Sequence, residues 1–377
     1  MLLSLSNVPR DYAWGSQTLL AELEGRAPAA APEAEVWFGD HPGDPADVRG
    51  GSTLDAVTGG TLPYLLKLLA AASPLSIQVH PTIEQARAGW AREAGLAADD
   101  PARNYRDDNH KPELIVALSD RFESLSGLRP VRDTLRLLGS LDVNPGVTAL
   151  SERLGSGDDA LRDTLGWLLS GDAQPAVDDI ICAVSAAEGA REWQTTLGAV
   201  SAIADVYPGD PGVVVALLMN HVVLRRGEGI FLRAGLLHAY IAGLGVEIMA
   251  ASDNVLRGGL TPKRIDVDEL LSIVDATPGE VPVLRPEQAG PVIDYEVPID
   301  DFSLRRVVLT GADVAIPVTG PTMILATEGR VSVRGGADEA IAIAVGAAVF
   351  ASDDEDEIIL TGIGEVFVAA PGVPRGA

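Results

Sequence analysis

Apolar and polar positions change rhythm several times along this chain. Residues 1 to about 80 read as short strands separated by turns, with Gly59-Gly60 punctuating before an apolar run at 62–69. Leu75-Ser76-Ile77-Gln78-Val79-His80 then alternates, which predicts a strand with Ser76, Gln78 and His80 on one face. Pro81 stops that strand. Thr82, followed three residues later by Gln85, has the spacing of a capping box and predicts a helix to about Ala94, closed by Gly95. The polar stretch 98–110 predicts a loop, and 113–117 a strand. From Pro130 to Val206 the period lengthens: Leu135, Leu138, Leu150, Leu154, Leu161, Leu165, Leu168, Val177, Ile181 and Val184 recur at helical spacing, broken near 144, 157 and 174. Beyond Pro208-Gly209-Asp210-Pro211-Gly212 the chain returns to β-like apolar runs over 213–260. A last strand-rich stretch covers 302–371, in which acidic 353–357 is expected to be a solvated turn.

At 377 residues the chain is too long for one ordinary core. The rhythm divides it into a β catalytic part at 1–129 and 207–284, a helical part at 130–206, and a C-terminal β part at 285–377. The 40 glycines and 25 prolines favour that mainly β reading over a helical bundle. No apolar stretch nears the roughly 20 residues of a membrane helix, and 1–15 lacks the form of a signal peptide. Cys182 is the single cysteine, so no internal disulfide forms, and a reducing cytoplasm is expected. Its apolar neighbours predict a buried thiol. The chain is expected to be a monomer.

The net charge of −26 argues against nucleic acid as a partner and repels anionic substrates on average. An anion site must therefore be locally positive. Lysine is rare, with three against 25 arginines, so Lys67, Lys111 and Lys263 are expected where a compact ammonium is needed, facing a site.

Gln78, His80, Glu113 and His238 would supply two imidazoles, one carboxylate and one amide oxygen. That donor set suits Zn²⁺ and leaves room for water or substrate. Any one of them alone is better read as structural; the set carries the argument. The segment Gly227 to His238 resembles the second cupin motif, with Gly227, Gly235 and His238 in place and Arg233 where the motif has proline. Cupins place such a histidine on the inner wall of a β-barrel. His41 reads as a loop residue and His221 as lying outside the site, while His110 stands next to Lys111 and is a candidate for the pocket.

Five segments together resemble type I mannose-6-phosphate isomerases: Tyr12-Ala13-Trp14-Gly15, the run from Pro74 to Pro81, Asn109-His110-Lys111-Pro112-Glu113, His238-Ala239-Tyr240, and the run from Ala250 to Lys263 containing Ser252-Asp253-Asn254 and Arg257. The resemblance implies a cupin-like jelly-roll catalytic core with an inserted α-helical subdomain and a C-terminal jelly-roll-like β domain. It implies one zinc ion per chain, held by Gln78, His80, Glu113 and His238. Arg257 matches the family's assigned catalytic arginine, and Trp14, Ser76, Lys111, Tyr240, Glu247 and Lys263 match pocket residues.

Such a family interconverts mannose 6-phosphate and fructose 6-phosphate through a cis-enediol, in which negative charge gathers on the sugar oxygens. Arg257 is expected to stabilise that charge or guide the proton, with Lys111 as a second cation or acid–base group. His110, Lys111 and Glu247 are the candidate bases. Lys263 and Arg257, with Ser76, are expected to hold the phosphate. A metal cupin oxygenase and a non-catalytic sugar-phosphate sensor are the alternatives. The first wants redox iron, which this donor set does not favour, and the second would not need the intact metal and arginine motifs.

Overall fold

The computed structural model of the chain describes residues 1–372, apart from 158, 188–190, 282 and 337–339. Two antiparallel ten-stranded sheets carry the fold, with a helical layer inserted between strands of the second. This is the mainly β, jelly-roll-type architecture expected from the sequence.

The catalytic sheet is organised by one long strand, His238–Ala250. Its first residues pair with Gln78–Val79 and Phe122–Leu128. Its last residues pair with Tyr64–Ala71 and Glu113–Ala117. Between the two halves the ladder is irregular at Tyr240 to Ala242, and Gly243 follows with φ +126°, a backbone region that side chains disfavour. The bend lets one strand serve both walls of the barrel.

The helical insert is Val131–Leu138, Pro145–Leu154, Ala160–Leu169, Gln174–Ser185 and Gln194–Val206. The predicted breaks fall where they were expected. Asn144 caps the second helix by accepting from the Val147 N–H at 2.8 Å, with Pro145 at the first helical position. The expectation of β structure from 213 onward fails at its start. Gly212–Leu218 is a helix, buried along its whole length, and the strand begins at Met219. A short continuous apolar run has no period to distinguish helix from strand. Here it forms a hub around which the amphipathic helices close, and burying its five large side chains contributes on the order of 10 kcal/mol.

That helical core also contains Ile77, Val79, Leu237 and Leu256. These are the chain neighbours of Gln78, His80, His238 and Arg257. The helices thus hold the apolar residues that alternate with the site residues.

The C-terminal sheet is built around Thr322–Arg334 and Glu357–Ala370, which pair along almost their whole length. It recruits the first strand of the chain, Leu2–Ser6, which pairs with Ala348–Ala351 rather than with the catalytic sheet. Asp354 and Glu355, in the acidic stretch expected to be merely solvated, hold the N-terminal ammonium at 2.7 Å each. One core joins the two β parts, with Phe38, Tyr64 and Leu66 packed among Phe302, Leu304 and Phe367. Cys182 departs from its expectation. It is exposed, on the outer face of Gln174–Ser185, whose buried face is Val177, Ile180, Ala183 and Val184.

Candidate active site

Strand register brings the motifs together. His238 pairs with Gln78, and Gln78 pairs in turn with Arg257, so three distant segments meet across adjacent strands. Of the predicted strand 75–80 only Gln78–Val79 lies in the ladder, and His80 falls just past its end. Glu113 begins its own strand opposite Met249. The turn before His238 is fixed by Gly235 at φ +78°, whose N–H donates to the His80 carbonyl at 2.9 Å. Arg233, at the motif's proline position, binds Asp275 at 2.5 Å, so an ion pair braces the turn.

His80, Glu113 and His238 are buried and offer ligand atoms within 4.8 Å of one another. His80 Nδ1 lies 2.7 Å from the Asn254 carbonyl and His238 Nδ1 lies 3.0 Å from that of Leu236. A carbonyl oxygen only accepts, so in both rings Nδ1 carries the proton and Nε2 turns its lone pair inward. These lone pairs face Glu113, with His80 Nε2 at 3.3 Å and His238 Nε2 at 3.5 Å from its two oxygens. Lone pair against carboxylate is repulsive, and His80 Nε2 is left buried without a hydrogen bond. Burial, and then the Lys111 charge, push the His80 pKa down to about 4, which keeps the ring neutral. Burial alone would raise the Glu113 pKa, but the Lys111 charge outweighs it and holds the carboxyl well below its ordinary range. Two imidazoles that turn Nε2 inward and a carboxylate between them, with one nitrogen unsatisfied, fit a divalent cation. Gln78 lines the same space, its Nε2 turned toward Ser76 Oγ at 3.4 Å.

Gln78 and Lys111 also face a cavity of about 400 Å³ whose walls include Trp14, Ser76, Arg257 and Lys263. Lys111 Nζ lies 2.8 Å from Glu113 Oε1. A recess of about 60 Å³ beneath contains Tyr240, Glu247, Lys67 and Glu35. Tyr240 donates to Glu247 at 2.8 Å, and Lys67 lies 3.2 Å from the other Glu247 oxygen and 3.9 Å from Glu35. Burial lowers the Lys67 pKa, but Glu35 and Glu247 more than compensate, so the ammonium stays charged. Burial, with Glu113 and Glu35 nearby, raises the Glu247 pKa against the opposing pull of Lys67. All three lysines face these cavities, as their rarity suggested.

His110 does not join the site. Its Nε2 lies 3.0 Å from both oxygens of Asp301 in the C-terminal part, which removes it from the candidate bases. His221 pairs with Glu123 at 2.9 Å, outside the site as expected. His41 lies in a loop as expected, and there it binds Asp253, which lines the cavity, at 3.1 Å.

Sequence reasoning overlooked the work of Asn254 and Glu35. Asn254 is fully buried, and its amide nitrogen donates to the carbonyls of Asp107 and Asn109 at 2.9 and 2.8 Å. Its amide oxygen accepts the Arg106 N–H at 2.7 Å, while its own carbonyl orients His80. Glu35 accepts the Trp37 indole N–H at 2.6 Å and steadies Lys67. A glutamate inside the apolar strand Glu35–Phe38 was the available signal.

Residues 2–131 match the family model for the catalytic domain of type I phosphomannose isomerase. The mannose-6-phosphate isomerase of Escherichia coli K12 is 33% identical, the match covering 96% of this chain and 97% of that protein. That of Cryptococcus neoformans is 32% identical over 87% of this chain and 89% of its own. A crystal structure of zinc-bound mannose 6-phosphate isomerase superimposes with a TM-score of 0.88 at 33% identity, covering 99% of this chain and 100% of that one. A second, bound with zinc and yttrium, has a TM-score of 0.87. With near full-length identity, a matching fold and a buried two-histidine, one-carboxylate cluster, the chain belongs to the type I phosphomannose isomerase family.

Proposed function

We infer that the protein interconverts D-mannose 6-phosphate and D-fructose 6-phosphate, using one zinc ion per chain held by Gln78, His80, Glu113 and His238. The observation that carries this reading is a metal-type cluster beside a cavity of about 400 Å³ lined by Gln78, Lys111, Arg257 and Lys263, the last two being cations without an acidic partner among the described residues. The chemistry sits in the part formed by 1–129 and 207–284, flanked by helical 130–206 and C-terminal 285–377. We also propose a monomer acting in the cytoplasm.

Zinc, when bound, supplies a Lewis acid for the sugar oxygens. The chain's residues do the rest. Arg257, half-buried beside the metal ligands, stabilises negative charge gathering on the cis-enediol oxygens; low dielectric strengthens that interaction. Burial, then Arg106, lower its pKa, which sharpens its need for an anionic partner. Lys111 is a second cation at the reacting end and can exchange a proton there. Glu247 accepts from Tyr240 and Lys67 at the pocket floor, where it is a candidate acid–base group. Trp14 and Ser76 shape the wall, and Lys263 holds the phosphate.

The test is a coupled assay of the purified protein with mannose 6-phosphate, before chelation, after it, and after zinc is restored. Activity lost and regained is expected, and a zinc-loaded protein inactive on this sugar would overturn the reading. Arg257→Ala should lower kcat by roughly 100-fold or more, the scale of losing an electrostatic stabiliser. A rise in KM alone would assign Arg257 to binding.

A further inference from the structure

Two cavities meet at Arg257 and Lys263. The inner one, about 400 Å³, is lined by Gln78 and Lys111, and the outer one, about 650 Å³, adds Arg103, Arg106 and Arg264. Two of these three are already engaged. Arg103 donates to the carbonyls of Leu96 and Tyr105 at 2.9 and 2.8 Å and covers the Trp90 ring at 4.2 Å. Arg264 pairs with Asp266 at 2.8 Å. Arg106 has no carboxylate partner among the described residues. Its side chain makes one hydrogen bond, from Nη1 to the Ala98 carbonyl, leaving the other face of the guanidinium open to the cavity. Arg257 and Lys263 have neither an ion pair nor a side-chain hydrogen bond among the described residues.

Three cations without a carboxylate partner among the described residues meet at one junction, beside Asp253, which binds His41, in a chain of net charge −26. They repel one another: Arg106 contributes to pushing down both Arg257 and Lys263. A dianion between them would relieve that repulsion. The proposed reaction commits Arg257 to the sugar oxygens, which leaves Lys263 as a single cation for a phosphoryl group of nearly two charges.

We propose that Arg106 completes the phosphate seat, binding the phosphoryl dianion with Lys263 where the two cavities join and leaving Arg257 free for the chemistry. The proposal rests on the isomerase reading. Asn254 gives the arrangement a fixed span, because it anchors the Arg106 backbone N–H at 2.7 Å and orients His80 Nδ1 at 2.7 Å. Seat and metal ligand are thereby positioned by one residue, which selects sugars whose phosphate lies at the matching distance from the reacting carbons.

Steady-state kinetics of Arg106→Gln on the zinc-loaded enzyme test this, with inorganic phosphate as competitive probe. KM for mannose 6-phosphate and the inhibition constant of phosphate should rise together, by roughly ten- to a hundredfold, the loss of one charge-assisted contact. The change in kcat should be much smaller, and Arg106→Lys should recover most of the affinity. Unchanged KM and phosphate inhibition in a folded Arg106→Gln enzyme would overturn the proposal. So would a fall in kcat with phosphate inhibition unmoved, which marks Arg106 as a prop for its loop. Calorimetric titration of inorganic phosphate into wild type and Arg106→Gln separates this from the isomerase reading. Equal affinities refute the seat, whereas weaker binding in the variant upholds it even if mannose 6-phosphate is not turned over.

Discussion

Asn254 ties three parts of the site to one buried amide. Replacing it by alanine strands the Asp107 carbonyl and frees the Arg106 N–H, while the Asn109 carbonyl keeps only Ser252 Oγ at 3.2 Å. Asn254→Ala is expected to destabilise the fold by about 3 kcal/mol, since each stranded buried group costs on the order of 1–3 kcal/mol. The partner of His80 Nδ1 is the backbone carbonyl of residue 254, which alanine keeps, so zinc should weaken by less than the roughly 10–100-fold that follows loss of an orienting partner. Thermal unfolding and competitive chelator titration measure the two. His80 makes a pH prediction for the metal-free protein. Its pKa falls from 6.5 in the unfolded chain to about 4 in the fold. Between those values the unfolded state binds a proton that the folded state refuses, so stability drops as pH falls from 6.5 toward 4. Urea titrations of the apo protein across that range should show the slope, and His80→Gln should flatten it. A single histidine letter does not convey burial, so this behaviour was not legible in the sequence. The gathering of His80, Glu113 and His238 as candidate ligands was, because residues with the right donor atoms recur inside distinctive segments.

At the scale of elements, local rules and tertiary packing divide the work. The capping box at Thr82 and Gln85 forms as spelled, opening Ile83–Arg92, because its bonds lie within one turn. Asn144 is similarly local, although its Nδ2 also reaches the Asp179 carbonyl at 2.8 Å. Asn144→Ala should cost about 1–2 kcal/mol, the upper part of the range for a lost N-cap. It should leave kcat and KM unchanged, since the cap lies in the outer helices; a calorimetric melt beside the kinetic assay checks both. The apolar run at 213–218 was misread because its neighbours, not its own pattern, decide that it is helical. The long strand His238–Ala250 was legible as a strand. Its bend at Gly243, which allows pairing with Gln78–Val79 at one end and Tyr64–Ala71 at the other, was not.

For the whole molecule, the C-terminal β part is not an appendage. Tyr64 of the catalytic sheet donates to the carbonyls of Pro321 and Ala369 at 2.8 and 3.1 Å, and His110 is held by Asp301. The two β parts share a core, and the first strand of the chain completes the C-terminal sheet. A chain truncated after residue 284 would expose Phe38, Tyr64 and Leu66 and leave Leu2–Ser6 unpaired. It should fail to fold, whereas the full chain should melt with the catalytic and C-terminal β parts in one transition. Circular dichroism of the truncation and calorimetry of the full chain test this, and a folded, active truncation would refute it.

By itself the sequence determined which residues could ligate a metal or an anion, the alternation that keeps Ile77 and Val79 away from Gln78 and His80, and the turns and caps that end each element. These depend on donor atoms, period and bonds between near neighbours, all of which are written locally. Only the tertiary structure decided that His110 belongs to Asp301 and not to the pocket, that Lys67 sits between Glu35 and Glu247, that Cys182 is exposed, and that Arg106 faces the junction beside Arg257 and Lys263. Burial, charge pairing and cavity shape arise from contacts across tens to hundreds of residues. They exist only once strand register has brought those residues together.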